Sequence, residues 1–350
     1  MAALSARVTR ATLVALGLLC ASSDTVRLPA FALGASALAE ASADRRRLGG
    51  GWSAWPRHRS GDIERSGGGR ADPTYVSAAG DVLHAQEVPR RIVSLVPATT
   101  EMLFAMGAGS RIAGVSNYDR FPPEVARLPK VGGLLDPDVE TLLSLKPDLV
   151  IVYDTQADLK RQLERAQVPM YQYVHRGLPD ITETMRALGA RIGAKTAADA
   201  AATRIEQQLA ALGRRVAGRS RPSTLLVFGR EPGTMRRVHA SGGYGFLHDV
   251  LELAGGTDVL NDLHKQSVEM STEMILTRRP EVILELHYGN SLSPAAMDAE
   301  RLVWNGLPSL PAVRNQRVYL LAGDEFVVPG PRIVLAAERF ARTLHPEVFK

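Results

Sequence analysis

The pattern of apolar and polar positions along this chain repeats one phrase half a protein apart. Residues 140–152 read ETLLSLKPDLVIV and residues 273–286 read EMILTRRPEVILEL, each an acidic residue, a short amphipathic run, a Lys/Arg-Pro stop and an apolar run. Glu140 and Glu273 stand 133 residues apart, and so do Pro147 and Pro280. Proline lacks an amide N–H and disfavours helix at the residue before it, so each amphipathic run ends there. The apolar run that follows predicts a strand buried on both faces, as in a parallel sheet. Two α/β units in one register predict two equivalent lobes.

The same rhythm continues on either side of these phrases. Strands are predicted at Ile92–Val96, Arg111–Val115, Val150–Tyr153 and Met170–Val174, with a small hairpin before them from Tyr75. A Thr99-Thr100-Glu101 helix start and a Gly107/Gly109 stop follow the first strand, and Ala157–Ala166 reads as another helix. Pro179–Gly193 and Ala197–Val216 then predict two helices in succession, a stiff connection that allows the lobes only modest movement. After Arg221-Pro222 the rhythm resumes over Thr224–Phe228, Phe246–Leu253, Glu273–Thr277, Val282–Leu286 and Val318–Leu321, closing with a helix at Pro331–Leu344. Alternation of this kind predicts an α/β fold with a mostly parallel sheet in each lobe. The expected organisation is an N-terminal lobe over 73–176, a connecting helix over 177–196 and a C-terminal lobe over 197–350.

The first residues follow neither pattern. Arg7 and Arg10 precede an apolar stretch, Ala11–Ala21, and small-residue cleavage sites follow, so residues 1–43 read as a signal for export. That stretch is short for a bilayer span. Cys20, the only cysteine, is either a lipid attachment point or part of a discarded peptide, and it excludes an internal disulfide. Residues 44–72, rich in Arg, Gly and Ser, read as a disordered linker, with Trp52 and Trp55 as isolated aromatics.

Charge alters the picture only in that leader. Of 42 Lys and Arg, ten fall in residues 1–72, leaving the remainder of the chain nearly neutral against its acids. No basic stripe with interleaved aromatics remains, which argues against nucleic acid as a partner. HExxH, CxxC, GxSxG and Walker patterns are absent. His248 and Glu252, one turn apart, read as a solvated helix face, and Asp136-Pro137-Asp138 reads as a helix cap in preference to an acid/base pair.

The phrases RIVSLVPATTEMLFAMGAG, VSNYDRFPPEV, LPKVGGL, LSLKPDLVIV, ASGGYGFLHDVLELAGG, STEMILTRRPEVIL and GPRIVLAAERF occur in this order between residues 91 and 340. Together they resemble the helical-backbone substrate-binding proteins of ABC importers for metal-chelate nutrients, nearest to the corrinoid-binding members. That resemblance implies two Rossmann-like lobes with parallel-rich central sheets, joined by a rigid connecting helix. It also implies a non-enzymatic, exported, monomeric receptor, periplasmic or membrane-tethered, with no cofactor. Such a receptor takes its cargo between the lobes and passes it to an ABC permease and its ATPase.

Residue by residue, the resemblance implies a cargo-binding face made of Pro97, Ala98, Thr99, Tyr118, Leu134, Tyr153, Arg230, His239, Ser267, Asp324 and Phe326. Tyr118 and Tyr153 stand where family aromatics lie against a flat macrocycle, although Tyr118 could equally pack on its own Phe-Pro-Pro turn. Leu134, Ser267 and His239 replace aromatics of the corrinoid-binding members, and the arginine after Asp324 falls at Val328. His239 is either an axial ligand for a central metal or a polar rim residue. Arg230 is either a partner for a cargo carboxylate or amide, or a surface arginine. Glu140 and Glu273 match the acidic positions, one per lobe, that pair with permease arginines; a favourable helix-dipole position explains either glutamate alone. The cargo expected is a corrinoid, with a ferric siderophore or haem as the alternative within the fold. An α/β enzyme acting on a cofactor-like substrate is the alternative outside it.

Overall fold

The computed structural model describes residues 88–287 and 292–350. The expected leader, linker, Cys20, Trp52, Trp55 and the hairpin at Tyr75 lie outside the described residues.

The first sheet is built from β1 (Ile92–Ser94), β2 (Ile112–Val115), β3 (Leu149–Tyr153) and β4 (Met170–Tyr173), in the order β2-β1-β3-β4. Every pairing in it is parallel. Its helices are α1 (Pro97–Ala105), α2 (Val139–Ser144) and α3 (Ala157–Arg165). Two longer helices follow, α4 (Pro179–Arg191) and α5 (Lys195–Val216), which form a helical hairpin, so the range 177–196 holds α4 and the turn into α5. Its turn is the left-handed Gly193, φ 68°.

The second sheet contains β5 (Ser223–Gly229), β6 (Val238–Gly242), the short β7 (Thr257–Asp258) and β8 (Lys265–Met270). It is completed by β9 (Val282–His287) and β10 (Val318–Ala322), in the order β10-β9-β5-β6-β8 with β7 beside β5. Around it lie α6 (Phe246–Leu253), α7 (Thr272–Arg278), α8 (Pro294–Leu302), α9 (Pro311–Arg314) and α10 (Ile333–Leu344). Here β9 runs parallel to β5 and β10, while β6 is antiparallel to both β5 and β8. The second sheet is therefore mixed: β7, β5, β9 and β10 repeat the order and parallel sense of the first sheet, and β6 and β8 add an antiparallel edge.

The repeated phrase goes deeper than its letters. In each copy the helix has an exposed glutamate as its second residue, Glu140 in α2 and Glu273 in α7. Each helix is capped by the residue two before that glutamate: Asp138 accepts from the Thr141 amide at 2.9 Å and Ser271 from the Met274 amide at 3.2 Å. The residue before each buried proline, Lys146 or Arg279, adopts the same left-handed φ of 48°. An acid then follows the proline and fastens the neighbouring strand: Asp148 accepts from the amides of Arg90 and Arg91 at 2.7 and 2.9 Å. Glu281 likewise accepts from the Ser223 amide at 2.8 Å. In both lobes the strand so placed is central, β3 beside β1 and β9 beside β5.

Three apolar cores result. One is confined to the outer face of the first sheet, around Val93, Leu142, Val150 and Leu159. A second, around Leu225, Val227, Ile283 and Trp304, belongs to the second sheet alone. The largest is shared: Met102 and Ile151 of the first lobe, Met185 and Leu188 of α4, Ile205 and Leu209 of α5, and Leu226, Ile333 and Phe340 of the second lobe form one continuous cluster. Burial at about 25 cal/mol per Å² makes this common core the main tie between the lobes.

Candidate ligand-binding cleft

In open α/β sheets, ligands collect beyond the carboxyl ends of the strands, where loops diverge and side chains can face inward. At that edge of the first sheet, Tyr118, Leu134 and Tyr153 are brought together. The loop after β2 carries Tyr118, whose ring lies so close to Gly133 that a Cβ there would come within 2.5 Å of it. The next residue, Leu134, accepts from Gln156 Nε2 at 3.0 Å, and Gln156 Oε1 accepts from the Tyr153 amide at 3.0 Å. Gln156 thus pins two candidate residues to one another. Burial, with a contribution from the Asp136 charge, raises the Tyr118 phenol above its ordinary pKa, and burial pushes Tyr153 up as well. Both present neutral, flat, half-buried rings.

Behind them sits Asp119, 4% exposed, accepting from the Ser116 amide at 2.9 Å and the Ser116 hydroxyl at 2.5 Å. Burial raises its carboxyl despite these bonds. Pro97, Ala98 and Thr99 begin α1, but Ala98 and Thr99 are buried. The Thr99 hydroxyl is engaged with Val96 O at 3.0 Å and Ser94 Oγ at 2.9 Å, so its side chain shapes the turn.

The second lobe faces this edge through three polar contacts. Arg332, just before α10, donates to Glu101 of α1 from Nε at 3.1 and 3.0 Å and from a terminal nitrogen at 2.6 Å. The other face of the guanidinium covers the Phe121 ring, 4.3 Å from its centroid. Burial raises the Glu101 carboxyl even against this arginine, while the pair holds the Arg332 guanidinium up against its own burial. Nearby, Asp324 lies 4.0 Å from Arg120, and on the helical side Asp249 of α6 accepts from the Leu178 amide at 2.8 Å. Glu101, expected only as part of a helix start, and Arg332 both lie inside the phrases that carry the resemblance, but nothing local marks their pairing.

The remaining predicted residues divide. His239 on β6 and Ser267 on β8 are half-buried, and His239 pairs in register with Glu269, two residues from Ser267, so both occupy one face of the sheet. Burial lowers the His239 imidazole pKa, leaving the ring neutral. Arg230 follows β5 as expected but is neither a surface arginine nor open to a cargo: its side chain is 2% exposed and lies 2.9 Å from Glu285 and 2.8 Å from Glu300. Glu285 is further held by Trp304 Nε1 at 2.7 Å and His287 Nε2 at 3.0 Å. Phe326 is a correction as well, fully buried and stacked on Phe340 at 5.5 Å, where it supports the Asp324 turn from beneath. Glu252, expected on a solvated face with His248, instead accepts from Arg221 at 2.5 Å and the Asp258 amide at 3.0 Å. Among the described residues no three His, Cys, Asp or Glu side chains are grouped to hold a metal ion, and no helix is long and apolar enough to cross a membrane.

The sequence profile of the family described as periplasmic binding protein matches residues 92–325, from the first strand to the Asp324 turn. The chain belongs to that family. Among relatives of this periplasmic binding protein is the vitamin B12-binding protein of Salmonella typhimurium, 28% identical over 73% of this chain and 90% of its own. The uncharacterized ABC transporter substrate-binding lipoprotein YvrC of Bacillus subtilis is 26% identical over 79% of this chain and 87% of its own. Of solved structures, the periplasmic vitamin B12-binding protein of Vibrio cholerae superposes with a TM-score of 0.64 at 24% identity, covering 75% of this chain and 99% of its own. A periplasmic haem-binding protein of Pseudomonas aeruginosa gives 0.63 at 25% identity, covering 74% and 93%. One fold thus serves relatives with differently named ligands, and the family is one of binding proteins, not of enzymes.

Proposed function

We propose that this protein is the substrate-binding component of an ABC importer, that it captures a corrinoid between its lobes, and that it docks on the permease through Glu140 and Glu273. The observation that carries this reading is the pair of exposed glutamates at the same place in two equivalent, separately capped helices. A favourable dipole position at a helix start needs neither exposure nor a copy in the other lobe, and contributes under about 1 kcal/mol. Two carboxylates on two lobes suit a partner that must be met in one orientation. For the cargo, the patch of Tyr118, Leu134 and Tyr153 offers flat neutral rings, which gain from burying a macrocycle. The vitamin B12-binding relatives support the corrinoid choice.

Titration of purified protein with cobalamin, cobinamide, haemin and a ferric siderophore tests the cargo. Tight binding of a corrinoid is expected; tight haemin or siderophore binding with no corrinoid bound would replace it with the alternative. Changing both Glu140 and Glu273 to Ala is expected to abolish uptake while leaving cargo affinity within about twofold, since neither belongs to the proposed cargo patch of Tyr118, Leu134 and Tyr153. Loss of cargo binding in that variant would remove the docking role.

A further inference from the structure

We propose that Tyr173 and His175 form a neutral polar subsite at the floor of the cleft that takes a carboxamide group of the cargo. This rests on the corrinoid reading above and narrows it to a ligand class. The Tyr173 hydroxyl and both ring nitrogens of His175 are buried and have no hydrogen-bond partner among the described residues. Buried polar atoms are nearly always partnered, because leaving one bare forfeits its bonds to water. Three such atoms on neighbouring rings point to a partner supplied from outside the described residues.

Their position fits. Tyr153, in the cleft patch, stands edge-on to Tyr173 at 6.0 Å; Tyr173 stacks on His175 at 6.1 Å; His175 meets Phe246 of the second lobe at 5.2 Å. The row of rings therefore starts at the proposed cargo face, beneath Tyr153, and crosses to the opposite lobe.

The chemistry selects the group. Burial pushes the His175 imidazole down to about 4, with Asp180 opposing, and raises Tyr173 well above the ordinary phenol value, so both are uncharged at neutral pH. A neutral imidazole offers one donor and one acceptor, and a phenol offers both. A carboxamide likewise presents an acceptor oxygen and a donor nitrogen. A carboxylate only accepts, and it would bring a charge that two neutral rings do not offset. Arg332 and Arg230 provide no remedy, being bound to Glu101 and to Glu285 and Glu300.

The test compares two ligands that share a ring: dicyanocobinamide, with amide side groups, and dicyanocobyrinic acid, in which these are carboxylates. The wild type is expected to prefer the amide form by about tenfold or more. Tyr173→Phe and His175→Phe should each weaken cobinamide binding about tenfold and leave cobyrinic acid binding unchanged, so the preference collapses. His175→Gln, which keeps a donor and an acceptor, should recover part of it. Because Tyr173→Phe deletes a bare hydroxyl, it should not lower the melting temperature of the cargo-free protein. Variants that keep the wild-type preference, or a marked fall in that melting temperature, overturn the subsite while leaving the corrinoid reading in place. A wild type that binds neither corrinoid overturns both.

Discussion

Glu101 is a carboxylate withdrawn from water and surrounded by one arginine. Its side chain is 3% exposed and that of Arg332 17%, so removing either leaves the other charge poorly solvated. Deleting one member of such a pair costs about 3 kcal/mol or more. Glu101→Ala is therefore expected to lower the unfolding free energy by about that amount, read from urea denaturation, whereas Arg120→Ala, at an exposed and longer contact, should cost under about 1 kcal/mol. At this scale the sequence was least informative. An arginine following a strand looks alike whether it meets water or Glu285, and a phenylalanine beside Asp324 looks alike whether it faces a cleft or Phe340. Glu101 and Arg332 are 231 residues apart, and no local periodicity encodes their meeting.

At the level of elements, the phrase in duplicate predicted its helices and strands correctly because it combined local signals that agree: a cap, an amphipathic turn, a proline and a β-rich run. What escaped it were the left-handed residues at Lys146 and Arg279, imposed by the tight turn and not by composition. For a side chain with a Cβ that conformation costs about 1–2 kcal/mol, partly offset by the greater chain entropy glycine would bring. Lys146→Gly and Arg279→Gly are each expected to stabilise the protein by about 0.5–1 kcal/mol, additively because they lie in different lobes. The antiparallel β6 also went unforeseen, since short strands bear no mark of direction. Its end is fastened to α6 by His248, which binds Asp258 at 3.2 Å alongside Ser241 at 2.7 Å. Burial alone would lower the His248 pKa, but Asp258 raises it above 6.5. A histidine raised in the folded state contributes most below its ordinary value and loses that contribution as pH climbs through the raised one. Stability should decline above about pH 6.5, and His248→Gln should flatten that decline in denaturation curves taken at stepped pH.

For the molecule as a whole, two equivalent lobes were readable from one offset, but the core they share was not, because α4 and α5 could have packed on either sheet. Their apolar stripes join Met102 and Ile151 to Leu226 and Phe340 in one cluster. Unfolding one lobe would expose the other's side of that cluster, so a single cooperative transition is expected. Fluorescence of Trp304, buried in the second lobe, and far-ultraviolet circular dichroism, which reports both lobes, should give coincident urea midpoints. Separate midpoints would show that the lobes are energetically independent.

The common core also divides the chain into parts that can and cannot change alone. Strand interiors and the α4–α5 hairpin are bound to one another across both halves, so a volume change on one side must be answered on the other. Tyr118, Leu134, His239 and Ser267 sit outside that agreement, on loops and sheet rims. Under the function proposed above, a lineage could exchange these residues one at a time and so change its cargo, while the fold kept its stability and its two exposed glutamates at Glu140 and Glu273.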